Sequence, residues 1–155
     1  MRTPSWRRPV LRISVYACLW LPLALWACSD DRHDERLLAA GPDRSVEALL
    51  KVADANAGAR KFRTCAACHT ITPGASDRGG PNLYGVFGQI PGQNSRRYGY
   101  TAALRGAGGI WDARRLDAWL ADPRKVVPGT NMQFAGVPDP LDRADLIAYL
   151  RSQSD

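Results

Sequence analysis

The chain has 155 residues, a net charge of +6 and 45% hydrophobic side chains, which is one ordinary domain with something left over. Much of the charge is local, because Arg2, Arg7, Arg8 and Arg12 sit in the first twelve residues and no acidic residue precedes Asp30. From Asp54 onward thirteen Lys/Arg stand against nine Asp, a mildly basic surface too weak and too scattered for nucleic-acid binding.

The chain opens as an export signal. Four arginines precede the uncharged run Ile13–Ala27, and polar Ser29-Asp30-Asp31 follows. Fifteen residues suit a signal-peptide core better than a membrane span, which needs about 20. Residues 1–27 therefore read as a signal peptide. Its exit, Leu25-Trp26-Ala27-Cys28, resembles the lipobox of bacterial lipoproteins, in which cleavage falls before a lipidated Cys. Leu25 and Ala27 match that pattern and the bulky Trp26 does not. The favoured reading is a lipid anchor through Cys28, with an uncleaved anchor and plain secretion as alternatives.

Residues 28–52 read as a tether, since 29–44 are charged and contain Gly41-Pro42. Within it, Ser45–Val52 carries a short amphipathic pattern with Val46, Leu49 and Leu50 on one side. The main domain then covers 53–155. Asp54 is placed to cap a helix running through Phe62 to about Ala67. Pro73–Arg97 is rich in Gly and Pro and reads as loop. Thr101 starts a short helical turn. Asp112 caps a helix with Leu116, Trp119 and Leu120 on one face, stopped at Pro123. The last helix has the clearest start, with Asp139 as cap and Pro140 at the first position, and its stripe is Leu146, Ile147, Tyr149 and Leu150. No strand-like alternation stands out. An all-α domain with such long loops needs something for them to pack on.

Cys65-Ala66-Ala67-Cys68-His69 supplies a candidate. Two sulfurs three residues apart share one side of a helical turn, where they can add across the two vinyl groups of a haem while the next side chain reaches the iron. A disulfide, a redox dithiol and a zinc site compete with this reading. Zinc would need further ligands, and His33, the only other histidine, lies in the tether. The chain has two methionines, of which Met1 is the initiator. Met132 sits in the loop Pro128-Gly129-Thr130-Asn131-Met132-Gln133-Phe134-Ala135-Gly136, away from any helix stripe, where core filling is a poor explanation. Its soft thioether is suited to the sixth position of a haem iron.

With these motifs in place the chain resembles the class I c-type cytochromes, close to mitochondrial cytochrome c and its soluble bacterial counterparts. The resemblance covers about residues 53–152. Asn56-Ala57-Gly58 with Phe62 resembles the family's first helix, and Leu146-Ile147-Ala148-Tyr149-Leu150 its last, with Tyr149 packing near Gly58. Gly80-Pro81-Asn82-Leu83-Tyr84-Gly85 resembles the segment facing the haem-ligating histidine. The resemblance implies a small cytochrome c fold, with three main helices, short helices and long loops wrapped around one covalent haem c. It implies thioethers from Cys65 and Cys68, with His69 and Met132 as axial iron ligands. It also implies a Pro81 carbonyl that accepts the second ring N–H of His69. Trp111 and Thr130 match propionate-binding residues, and Phe134 matches the aromatic at the exposed haem edge. Leu83, Tyr98, Tyr100 and Trp119 complete the expected haem contacts. Four positions depart from the family: Gln89 stands for an Arg over the buried propionate, Trp119 for a Tyr near the Met sulfur, Leu104 for an Asn, and Asn131 for a Lys.

Two filled axial positions favour outer-sphere transfer over catalysis, and Met/His ligation raises the potential. The resemblance thus implies an electron carrier, not an enzyme. It would run between a quinol:cytochrome c oxidoreductase or a periplasmic dehydrogenase and a terminal oxidase or reductase, on the periplasmic side of a bacterial membrane. A cytochrome dedicated to one dehydrogenase is the nearest alternative. A small haem peroxidase is a further one, but would need a labile Met132 or a second C-x-x-C-H motif, which this sequence lacks. Arg60, Lys61, Arg63, Arg124 and Lys125 flank the ligand segments and are placed to dock redox partners with acidic faces, with simply solvated charge as the alternative.

Overall fold

The computed structural model describes residues 32–154, so Cys18, Cys28 and the segment read as a signal lie outside it. Among the described residues there is no strand. Seven helices are present: α1 (His33–Ala40), α2 (Val46–Leu50), α3 (Ala55–Lys61), α4 (Ala102–Arg105), α5 (Ala113–Ala121), α6 (Pro123–Val126) and α7 (Pro140–Ser152). A 3₁₀ turn, Cys65–Ala67, follows α3. No helix among the described residues is long and apolar enough to cross a membrane.

Side chains written into the sequence set the helix starts. The Asp54 carboxylate accepts from the Asn56 N–H at 2.8 Å, Thr101 Oγ1 from Leu104 N–H at 3.2 Å, Asp112 from Arg115 N–H at 2.8 Å, and Asp139 from Asp142 N–H at 2.9 Å. Each satisfies one of the donors a helix leaves unpaired at its first turn. Pro123 does end α5, as its missing N–H requires, but it also opens α6, where Asp122 accepts from both Arg124 and Lys125 N–H groups.

The frame is the crossing of α3 over α7. Gly58 permits it, because a Cβ there would strike the Asp145 carbonyl and come within 2.8 Å of Tyr149 Cβ. The Phe62 and Tyr149 rings meet just beyond, with centroids 5.4 Å apart. Phe62, Leu116, Leu120, Leu146, Ile147 and Leu150 form the larger core with Trp111 and Trp119. Leu49, Leu141 and Ala144 form a second, smaller one.

The structure differs from the sequence reading over the tether. Residues 33–40 are helical, and α1 is fastened to α7 by a buried ion pair. Arg36 donates to both oxygens of Asp145 at 2.7 and 2.9 Å, and the Asp54 N–H donates to the same carboxylate at 2.8 Å. Asp145 is wholly buried. The short helix read near Ser45–Val52 is present as α2, with Ser45 accepting from Ala48 N–H and with Val46 and Leu49 buried.

A second fastening is pH-sensitive. His33 Nε2 lies 3.1 Å from Asp139 and 4.0 Å from Asp142, which is itself paired with Lys61 at 2.9 Å. The hydrogen bond to the Asp139 carboxylate, outweighing partial burial, raises the His33 pKa above its ordinary 6.5. A base whose folded pKa is raised stabilises the fold below its unfolded pKa, and that contribution is lost as pH rises through the folded one. Urea midpoints should therefore fall as pH rises from about 6 to about 8. His33→Gln should flatten that slope, and an equal slope in both proteins would discard the link.

Candidate haem site

The site begins at the end of α3, where the 3₁₀ turn brings Cys65 and Cys68 close together. Cys68 N–H donates to the Cys65 carbonyl at 3.0 Å, and His69 N–H donates to the same oxygen at 2.9 Å. The two thiols are not bonded to one another. Burial pushes the Cys65 thiol above its ordinary pKa. His33 is occupied with Asp139 and does not join the cysteine pair.

A second segment fixes the imidazole. Gly80 N–H donates to the Cys68 carbonyl at 2.8 Å and Leu83 N–H to that of Thr70 at 2.8 Å, so the loop lies directly on the histidine. Gly80 must lack a side chain, because a Cβ would press on the His69 ring, 2.7 Å from Nδ1. His69 Nδ1 is 2.8 Å from the Pro81 carbonyl oxygen, which can only accept, so Nδ1 carries the proton and Nε2 keeps its lone pair. Burial, opposed by that hydrogen bond, lowers the His69 pKa and keeps the ring neutral.

The remaining walls come from distant parts of the chain. The Tyr98 hydroxyl donates to the Gly79 carbonyl at 3.1 Å, and Tyr100 accepts from the Ser95 N–H at 3.0 Å. Their rings meet edge-on at 5.0 Å. Trp111 and Trp119 are buried with centroids 5.1 Å apart. In the loop after α6, Met132 N–H donates to the Thr130 hydroxyl at 3.3 Å.

These segments enclose one cavity of about 320 Å³. Cys65, Cys68, His69, Pro81, Leu83, Tyr98, Tyr100, Trp111, Trp119, Thr130, Met132 and Phe134 all line it, so the structure brings together every site residue named from the sequence. Asn94, Val86, Leu116, Leu146 and Leu150 also line it. Asn94 was legible only as a loop residue. Its amide donates to the carbonyls of Asn82 at 2.7 Å and Tyr84 at 3.1 Å, contacts that no sequence spacing announces.

The donor set fits a covalently held haem. Two adjacent thiols, a neutral imidazole with a free nitrogen and a soft thioether border an apolar space, and the glycine beside the imidazole leaves no room for a Cβ.

No family model matches the chain. The chain is 43% identical over 117 residues to the cytochrome c homolog of Bradyrhizobium diazoefficiens, spanning 64% of that relative's length and 76% of its own. It is 41% identical over 116 residues to cytochrome c of Theileria parva, covering 97% of that protein and 74% of its own length. Among solved structures it is similar to cytochrome cH from Methylobacterium extorquens, with 43% identity and a TM-score of 0.61, over 98% of that chain and 64% of this one. Identity at this level over nearly the whole of a relative, with the fold and cavity described above, means that the chain belongs to the cytochrome c family, electron-transfer proteins, not enzymes, that carry covalently bound haem c.

Proposed function

We propose that this cytochrome shuttles single electrons on the periplasmic side of a bacterial membrane, from a quinol:cytochrome c oxidoreductase or a periplasmic dehydrogenase to a terminal oxidase or reductase. The observation that carries the reading is the His69 Nδ1 bond to Pro81, which leaves Nε2 as a ligand in the cavity that Met132 also lines. Bound haem supplies the one-electron ferric/ferrous couple, and the chain supplies everything else. Cys65 and Cys68 would tether the macrocycle, and His69 and Met132 would hold its iron. Pro81 orients the imidazole. Trp111, Thr130, Tyr98 and Tyr100 bring groups able to hydrogen-bond to the pocket lining, and Leu83, Trp119 and Phe134 add apolar wall. The exposed Arg124 and Lys125 beside the Met132 loop steer partners with acidic faces.

Met132 tests the ligand set most directly. Met132→Ala should lower the reduction potential and let small exogenous ligands bind the iron, as read by spectroscopic titration. Unchanged ligand binding in the variant would overturn the assignment. Redox titration against membranes with and without quinol separates the donor classes.

Cys28 is proposed as a lipidated first residue of the mature protein. Two or more acyl chains would be needed for stable anchoring, since a single chain binds membranes only marginally. Mass spectrometry of the mature protein should find the acylated Cys28 at the N-terminus. An unmodified N-terminus at any other position would remove the anchor and leave the haem assignment intact.

A further inference from the structure

Arg115 occupies an unusual setting on the first turn of α5. Its guanidinium carbon lies 5.4 Å from the centroid of the Trp111 ring, and Nη2 donates to the Ala107 carbonyl at 3.0 Å. A cradle is built for it at Gly109, which has a φ of +65°, and a Cβ there would stand 2.5 Å from Nη1. The neighbouring cations behave differently, Arg114 pairing with Glu47 and Arg143 with Asp117. Among the described residues no ion pair is made by Arg115, and its Nε is buried with no acceptor. The Asp112 carboxylate nearby is taken up by the Arg115 backbone N–H.

A half-buried, uncompensated cation is costly, so its position calls for an explanation. Trp111 lines the cavity and Arg115 does not, so the charge acts through the indole. Trp111 is also clamped on the backbone to the segment that carries Gln89, with Trp111 N–H donating to the Gln89 carbonyl at 2.8 Å. Gln89 is the uncharged residue at the position where the resemblance calls for an Arg.

We propose that Arg115 is a positioning residue for electron transfer: packed on Trp111, it orients the indole and places a fixed positive charge behind the cavity wall, raising the reduction potential. The inference rests on haem occupying the cavity with Trp111 in its wall. A nearby fixed cation opposes the loss of an electron from the haem, and it acts strongly where solvent screening is poor.

The test is a spectroelectrochemical titration of the full-length holoprotein. Arg115→Met keeps the apolar stem over Trp111 and removes the charge. It should weaken reduction about tenfold, equivalent to about 59 mV for one electron. Arg115→Lys should recover more than half of that shift, and Arg114→Met, which removes an exposed charge one residue away, should leave the potential unmoved. Should Arg115→Met fail to fold, Arg115→Gln carries the same comparison. A lower thermal midpoint with an unmoved potential would make Arg115 merely structural and overturn the proposal. So would an equal shift in Arg114→Met, which would reduce the effect to net charge. A wild-type spectrum without His/Met ligation would instead overturn the underlying haem reading, so the two failures are distinguishable.

Discussion

Replacing both Cys65 and Cys68 with alanine should release haem from the chain on a denaturing gel and leave the apoprotein without a cooperative unfolding transition. The magnitude follows from the cavity. Without haem the apolar walls of this space are left facing water or a void, which costs several kcal/mol. Small domains are stable by only about 5–15 kcal/mol in total, so such a loss removes much or all of that margin. Phe62, Leu116, Leu146 and Leu150 are packed in the core and also line this space, so they would lose their contacts together. Far-UV circular dichroism against temperature, with extraction into acidified organic solvent, checks both halves. Haem that extracts freely from the wild-type protein, or a sharp transition in the haem-free variant, would refute the prediction.

The second large effect is expected at Arg36. Arg36→Ala leaves the wholly buried Asp145 carboxylate with only the Asp54 N–H from the set that now holds it. Removing one partner of a buried pair costs about 3–5 kcal/mol, because the remaining charge has lost water and gained nothing. Asp145→Asn added to Arg36→Ala should restore part of that loss, giving a favourable coupling between the sites in a double-mutant cycle. Denaturant midpoints of the four proteins measure it. A loss below about 1 kcal/mol in Arg36→Ala would place the pair with weak surface bridges instead.

The two predictions also mark where sequence reading succeeds and where it stops. The candidate attachment motif was legible because its chemistry is local: two thiols and an imidazole within five residues admit only a few readings, of which a haem is one. Helix starts were legible for the same reason, since Asp54, Thr101, Asp112 and Asp139 bond groups two or three positions away. The Gly58 crossing and the cavity residues from Pro81 to Phe134 became legible only through ordered motifs that resemble a family.

The sequence by itself thus determined an all-helical domain, the C-x-x-C-H site and the lone methionine in a Gly/Pro loop. Only the tertiary structure decided that α1 docks on α7, that the Asp145 carboxylate is buried, and that Arg115 lies over Trp111 with no ion pair among the described residues. Arg36 and Asp145 are 109 positions apart, and nothing in either neighbourhood marks them as partners. An Asp on a helix that also carries Asp142 and Arg143 reads as solvated, because periodicity reports apolar faces only. Whether a charge is buried depends on which other segment covers it. Here that cover is the crossing of α3 and the arrival of α1, long-range packing that a local pattern cannot encode.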